Sequence, residues 1–267
     1  MGDRTIDVPG ATLAVDDPGG EGVPFVWAHG LTWSRRQEDA AALFSWASID
    51  GLRVIRYDAR GHGESDGDPD PASYEWPRLA TDLLAVMDAT GVEHGVIGGA
   101  SMGCATALLA ALAAPGRVDR LVLAIPPTAW ETRPAQRDKY LAGAHIIETA
   151  GIADLVQRMR EQQALVGAFG TDGRRRLDSD LEFLLAADAT RLPAIMRGAA
   201  ASDLPPLDVL ATIDRPALVL AWSGDDGHPV SSAERLAAAM PRAELSVASD
   251  LGAIGWWPDL VREFVVG

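Results

Sequence analysis

The chain has 267 residues, 48% hydrophobic and 23% charged, with a mean hydropathy of +0.04, a balance that fits one large domain or one domain plus a lid and excludes a disordered or membrane-embedded chain. No run reaches the roughly 18 apolar residues of a membrane helix, and the start Met1-Gly2-Asp3-Arg4-Thr5 lacks the apolar core of a signal peptide, so a cytoplasmic protein with no membrane partner is expected. A net charge of -15 repels a phosphate backbone, which argues against nucleic acid as a partner, and the single cysteine, Cys104, rules out an intrachain disulfide or a zinc site built on thiolates.

Short β-branched runs alternate with longer stretches of helical spacing, the pattern of a mostly parallel sheet covered by helices on both faces. Eight strands are predicted, over Thr5 to Val8, Thr12 to Val15, Pro24 to Ala28, Arg53 to Tyr57, Gly95 to Gly98, Arg120 to Ile125, Ala217 to Trp222 and Glu244 to Ala248. The turn Asp17-Pro18-Gly19-Gly20-Glu21-Gly22 is expected to join the second and third strands as a hairpin, making the N-terminal edge antiparallel. Helices are predicted over Arg36 to Ala47, Trp76 to Thr90, Met102 to Ala113, Ser231 to Met240 and Pro258 to Val265. Between Pro126-Pro127 and Pro205-Pro206 the strand signal stops and three or four helices are read, punctuated by Gly151 and Gly173. The expected organisation is therefore an α/β core over 1–125 and 207–267 with a helical cap over 126–206, above the strand ends where open α/β sheets bind ligands. The run Arg174-Arg175-Arg176 reads as a solvated cap face.

Four strand ends carry chemistry. The fifth strand runs through Gly99-Ala100-Ser101-Met102-Gly103 into a helix, the strand, sharp turn and helix that present a nucleophile; glycines two before and two after Ser101 spare the bend a collision with its neighbours. The third strand ends in His29-Gly30-Leu31-Thr32-Trp33, where the backbone N–H of Leu31 and that of Met102 can converge on a carbonyl oxygen attacked by Ser101. His29 itself reads as a buried, hydrogen-bonded imidazole. The fourth strand leads into Asp58-Ala59-Arg60-Gly61-His62-Gly63-Glu64-Ser65, in which Asp58 and Arg60 are read as locks of the loop by charge-assisted hydrogen bonds. The seventh is followed by Trp222-Ser223-Gly224-Asp225-Asp226-Gly227-His228-Pro229, where Asp225 can orient a catalytic imidazole and Asp226 reads as a turn or cap residue.

These features, in this order, resemble the α/β-hydrolase superfamily over essentially the whole chain. The resemblance implies an eight-stranded α/β-hydrolase fold and hydrolysis of a carboxylic ester, lactone or thioester, with Ser101 as nucleophile, Asp225 as acid, and the amides of Leu31 and Met102 as the oxyanion hole. The family's catalytic histidine follows the eighth strand, and here the sequence departs: Ser249-Asp250-Leu251-Gly252-Ala253-Ile254-Gly255-Trp256-Trp257-Pro258 has none, and no histidine lies beyond His228. Ala253 occupies the slot. The activity of this sequence is then expected to be impaired, unless His145 reaches down from the cap or, ranked behind it, His228 swings inward. The remaining alternative is a non-hydrolytic or ligand-binding member of the fold. Asp250 is an ordinary aspartate and too weak a base for a serine hydroxyl.

Trp33, Met102, Trp130 and Trp222, with His145, are expected to line the substrate pocket under the cap, which favours an apolar, bulky small molecule. No metal-ligand cluster and no glycine loop for phosphates is seen, so no cofactor is implied. The acidic surface favours solubility and leaves room for a homodimer.

Overall fold

The computed structural model describes residues 3–41, 44, 46, 49–166, 181–225 and 227–267. Its strands are β1 (Asp3–Val8), β2 (Ala11–Asp16), β3 (Val23–Ala28), β4 (Leu52–Tyr57), β5 (Gly95–Ala100), β6 (Val118–Ala124), β7 (Ala217–Trp222) and β8 (Ala243–Ala248). They form one sheet in the order β1-β2-β4-β3-β5-β6-β7-β8, parallel from β4 through β8. The eight strands read from the sequence are the eight found, each end within two residues.

The connection is different at one place. β2 pairs antiparallel with β1 and with β4, never with β3, so the turn over residues 17–22 is a crossover and not a hairpin. β3 is buried from Phe25 to Ala28 and takes β4 and β5 as its two parallel neighbours, which forces the chain to pass β4's place before entering it. The tight hairpin lies one turn earlier, where Val8 pairs with Ala11 across Pro9-Gly10 and Gly10 adopts φ +79°.

Side chains alternate between two cores along each central strand. Val26, Ile97, Leu121, Leu123 and Val219 face one side, packed by α2 (Trp76–Ala89), α3 (Met102–Ala113) and a later helix, Val230–Ala239. Phe25, Trp27, Val96, Val122 and Leu220 face the other, with Phe44, Trp46 and Trp257. α1 is described over Arg35–Ala41; of the longer helix expected, 42, 43, 45 and 47 lie outside the described residues, and Phe44 and Trp46 beyond it are buried.

Between β6 and β7 the chain leaves the sheet for α4 (Arg133–Ala150), α5 (Ile152–Val166), a helical segment at 181–185 and α6 (Leu192–Ala201), followed by the single turn α7 (Leu207–Leu210). Gly151, at φ +89°, ends α4; Gly173 and Arg174-Arg175-Arg176 fall outside the described residues. The inserted helices have a core of their own, in which Ala144, Ile147, Leu155, Leu184, Leu192 and Met196 meet. Their stem is tied by Arg133, whose buried guanidinium donates to the carbonyls of Ser202 (2.8 Å) and Ala199 at the end of α6 and lies 4.3 Å from the centre of the Trp76 ring. A cation at a helix C-terminus sits at the negative end of the helix dipole. The chain closes with α8 (Val230–Ala239), α9 (Leu251–Ile254) and α10 (Trp257–Val266).

Candidate active site

Ser101 stands at the turn from β5 to α3 with φ +53° and ψ -110°, a backbone conformation that side-chain-bearing residues rarely adopt. The turn closes because the two flanking glycines have no side chain. A Cβ on Gly99 would lie 2.5 Å from the Ala28 carbonyl oxygen at the end of β3, and one on Gly103 would overlap the same carbonyl. Ser101 N–H donates to the Ala124 carbonyl (3.1 Å) and Cys104 N–H to the Ser101 carbonyl (2.9 Å), which fixes the bend between β6 and the first turn of α3.

The partner of the serine comes from the loop after β7. His228 Nε2 lies 2.8 Å from Ser101 Oγ, and His228 Nδ1 lies 2.7 Å from Asp225 Oδ2. An ionised carboxylate only accepts hydrogen bonds, so Nδ1 carries the proton and Nε2 is left as the acceptor of the Ser101 hydroxyl. Burial opposes the charge on Asp225, but the His228 imidazole and the amides of Gly227 and His228 outweigh it and hold the carboxyl below its ordinary value. The loop builds this pairing locally. His228 N–H donates to the Asp225 carbonyl (3.2 Å) and Gly227 N–H to Asp225 Oδ1 (2.9 Å), a turn that sets side chains three apart side by side.

Of the two imidazoles weighed as partners of Ser101, His228 and not His145 lies within hydrogen-bond distance of it. The slot after β8 holds Ala253, in α9, whose N–H is capped by Asp250 Oδ1 at 2.9 Å, while the imidazole beside Ser101 is that of His228. The signal was present as the D-x-G-H spacing at 225–228. His145 is exposed on α4 and its carbonyl accepts from Thr149 Oγ1 (2.8 Å). The other histidines are occupied elsewhere. Burial lowers the pKa of His29, which accepts the Ala59 N–H at Nε2 (2.9 Å) and donates from Nδ1 to the Gly30 carbonyl (2.8 Å). His62 donates to the Arg60 carbonyl (2.8 Å), and burial with the neighbouring His29 takes its pKa down to about 3. His94 pairs with Asp119 at the surface.

The loop over residues 29–33 lies against the nucleophile: a Cβ on Gly30 would stand 3.6 Å from Ser101 Cβ. Neither Leu31 N–H nor Met102 N–H has an acceptor among the described residues. Asp58 and Arg60 lock loops as expected, but not to each other. Asp58 accepts the amides of Arg35 (2.8 Å) and Glu64 (2.9 Å), and Arg60 makes two 2.7 Å bonds to Asp82 in a fully buried pair.

The tryptophans divide. Trp33 lines a cleft of about 910 Å³ between the core loops and the inserted helices, whose walls mix charged side chains such as Arg35, Glu64 and Arg191 with the apolar Phe183, Leu192 and Ile195; Ser101 and His228 are not among them. Trp130, at φ +50°, packs against the core, donates its indole N–H to the Pro205 carbonyl (3.0 Å) and carries the Arg235 guanidinium 4.9 Å above its ring. Trp222 packs against the Trp257 side of the sheet and against Gly224. Trp130 and Trp222 are partly buried, and of the three tryptophans only Trp33 lines this cleft. Asp226 lies outside the described residues. Among the described residues no group of three or more His, Cys, Asp or Glu side chains converges as a metal would need, and no helix is long and apolar enough to cross a membrane.

The sheet order, the elbow and the paired loop define an α/β-hydrolase fold. A family model for the alpha/beta hydrolase fold matches residues 23–146, in line with that fold. Over 228 residues it is 28% identical to 3-oxoadipate enol-lactonase 1 of Acinetobacter baylyi, covering 84% of this chain and 80% of the lactonase. It is 40% identical over 98 residues to the sn-1-specific diacylglycerol lipase ABHD11 of Mus musculus, a stretch spanning 31% of the lipase. Among solved structures, a hydrolase from Pseudomonas aeruginosa superposes with a TM-score of 0.77 at 26% identity, covering 99% of this chain and 97% of that one. The enol-lactonase of Burkholderia xenovorans shares the fold with a TM-score of 0.80 at 22% identity, covering 99% and 100%.

Proposed function

We propose that this protein is a serine hydrolase of carboxylic esters or lactones, with Ser101, His228 and Asp225 as its relay. The observation that carries the reading is the unbroken chain of hydrogen bonds from Ser101 Oγ through both nitrogens of His228 to Asp225. Ser101 Oγ attacks the substrate carbonyl as its proton passes to His228 Nε2, and Asp225 stabilises the imidazolium that results. The oxyanion of the tetrahedral intermediate accepts the N–H groups of Leu31 and Met102. His228 then returns the proton to the departing alcohol oxygen, leaving an acyl-Ser101 ester. A water that gives its proton to His228 attacks this ester, and the same proton is handed back to Ser101 Oγ as the acid departs. In a lactone the departing alcohol remains part of the product, so a single hydroxy acid leaves.

Two enol-lactonases among the relatives and neighbours support including lactones beside esters. The helices inserted between β6 and β7 act as a cap that shapes what reaches Ser101. The test is hydrolysis of nitrophenyl esters and of lactones, alongside labelling with a fluorophosphonate. The expected result is turnover by the native chain, a label on Ser101, and loss of both in Ser101→Ala. A label elsewhere, or turnover unchanged in Ser101→Ala, overturns the reading.

A further inference from the structure

We infer that Gln37 is a positioning residue of this active site, holding Thr32 in a left-handed backbone conformation and thereby setting the Leu31 N–H that faces the reacting carbonyl. The inference rests on the serine-hydrolase reading above. Residues 30–33 form a turn closed by the Trp33 N–H donating to the Gly30 carbonyl at 3.2 Å, with Leu31 and Thr32 as its central residues. Thr32 sits at φ +61°. The third position of such a turn asks for glycine or asparagine, and a β-branched residue there is strained. Strain of this kind persists only where the surroundings over-determine the conformation, and it gathers at functional sites.

Three contacts over-determine this turn. Gln37 is buried in the first turn of α1, and its Nε2 donates to the Thr32 carbonyl at 3.2 Å. Its own backbone N–H donates to Ser34 Oγ (3.3 Å), which fixes the start of the helix relative to the loop. On the other side Leu31 packs against Tyr74, Ala194 and Ile195, so α6 presses on the residue next to Thr32. Gly30, without a side chain, lets the turn lie against Ser101 Cβ. Loss of the Gln37 bond frees Thr32 to return to negative φ. With Gly30 and Trp33 joined across the turn, that rotation has to be absorbed at Leu31, the residue whose unpaired N–H is the donor. Gln37 acts through Thr32, whose carbonyl its side chain holds.

The experiment compares Gln37→Leu, of similar size and without the donor, with Gln37→Ala, each made in the native chain and in Thr32→Gly. Removing a whole oxyanion donor costs about 10² to 10³ in kcat, so displacing one is expected to cost roughly ten- to a hundredfold in kcat with KM changed less than about threefold. In the Thr32→Gly background a left-handed residue needs no clamp, and losing Gln37 is expected to change kcat by less than about threefold. Equal losses in both backgrounds overturn the inference, as does a loss confined to KM. A crystal structure of Gln37→Leu supplies a readout independent of turnover: Thr32 relaxed to negative φ supports the inference, and an unchanged turn overturns it even if no ester is hydrolysed. Failure of the hydrolase reading is seen separately, as the absence of a Ser101 label in the native chain.

Discussion

β7 and β8 are adjacent parallel strands that end side by side, Trp222 opposite Ala248, and the loops that leave them are built for different purposes. The loop after β7 gathers two titratable side chains into one turn, Asp225 hydrogen-bonded to His228 and His228 to Ser101. The loop after β8 uses its acid for architecture: the Ala253 amide, then the Ser249 hydroxyl, hold the Asp250 carboxyl below its ordinary value as the cap of α9. Ala253 packs toward the core around Trp257. A general base is defined by reach, with one nitrogen about 3 Å from the hydroxyl and the other held by a carboxylate, and any loop that meets both conditions serves. The loop after β7 has that geometry, and its neighbour is a capped helical turn.

The strongest way to break this comparison is to empty the β7 loop. His228→Ala is expected to lower kcat toward nitrophenyl esters by about 10⁶, and Asp225→Asn by about 10⁴, as in other serine relays. A His228→Ala enzyme that kept even a hundredth of native turnover would show that the base lies elsewhere. A second expectation concerns the frame that holds both loops' sheet in place. Arg60→Met leaves Asp82 buried without its partner and is expected to cost about 3 to 5 kcal/mol in urea denaturation; a loss below about 1 kcal/mol would mean that water reaches the carboxylate.

Much of this was legible in the residues. The alternation of Phe25 and Trp27 with Val26 and Ala28 marks a strand buried on both faces, and Gly99 and Gly103 around Ser101 mark a bend that a Cβ would block, because both features are local. Two matters were not legible. Which strand lies beside β2 depends on β3 competing for two parallel neighbours, and nothing in the turn over 17–22 encodes that choice. That His228 faces Ser101 depends on where the β7 loop ends in space. The spacing from Asp225 shows that the two side chains can pair, but their distance from a serine 127 residues away in sequence is set by the register of β5, β6 and β7.

Protonation sharpens the picture of the sheet face beneath these loops. Burial raises the pKa of Glu38 from its ordinary 4.5 to about 8, against the opposing hydrogen bond from the Trp27 indole (2.9 Å). The folded state therefore keeps a proton that the unfolded chain releases, and stability is lost as pH rises from about 4.5 through about 8. His62 acts at the opposite limb: its folded pKa of about 3 lies below the unfolded 6.5, so stability is lost as pH falls through that window. Melting temperature followed from pH 5 to 8 should fall less steeply in Glu38→Gln, which keeps the acceptor for Trp27 and has no proton to lose. An unchanged slope would place the titration elsewhere.

The smallest expected effect is the most pointed test of the two loops. Ala253→His restores an imidazole to the position where the superfamily usually carries it. If the β8 loop is vacant because the β7 loop has taken over its work, the new histidine finds Ser101 Oγ already bonded to His228, and kcat is expected to change by less than about tenfold. An increase of several orders of magnitude would mean that the 2.8 Å contact of His228 is not the working one. The same substitution in His228→Ala separates geometry from occupancy. Recovery there would show that both loops can present a base to one serine and that the native chain uses only one. No recovery would show that α9, with its cap at Asp250, turns position 253 toward the core and has closed the older route.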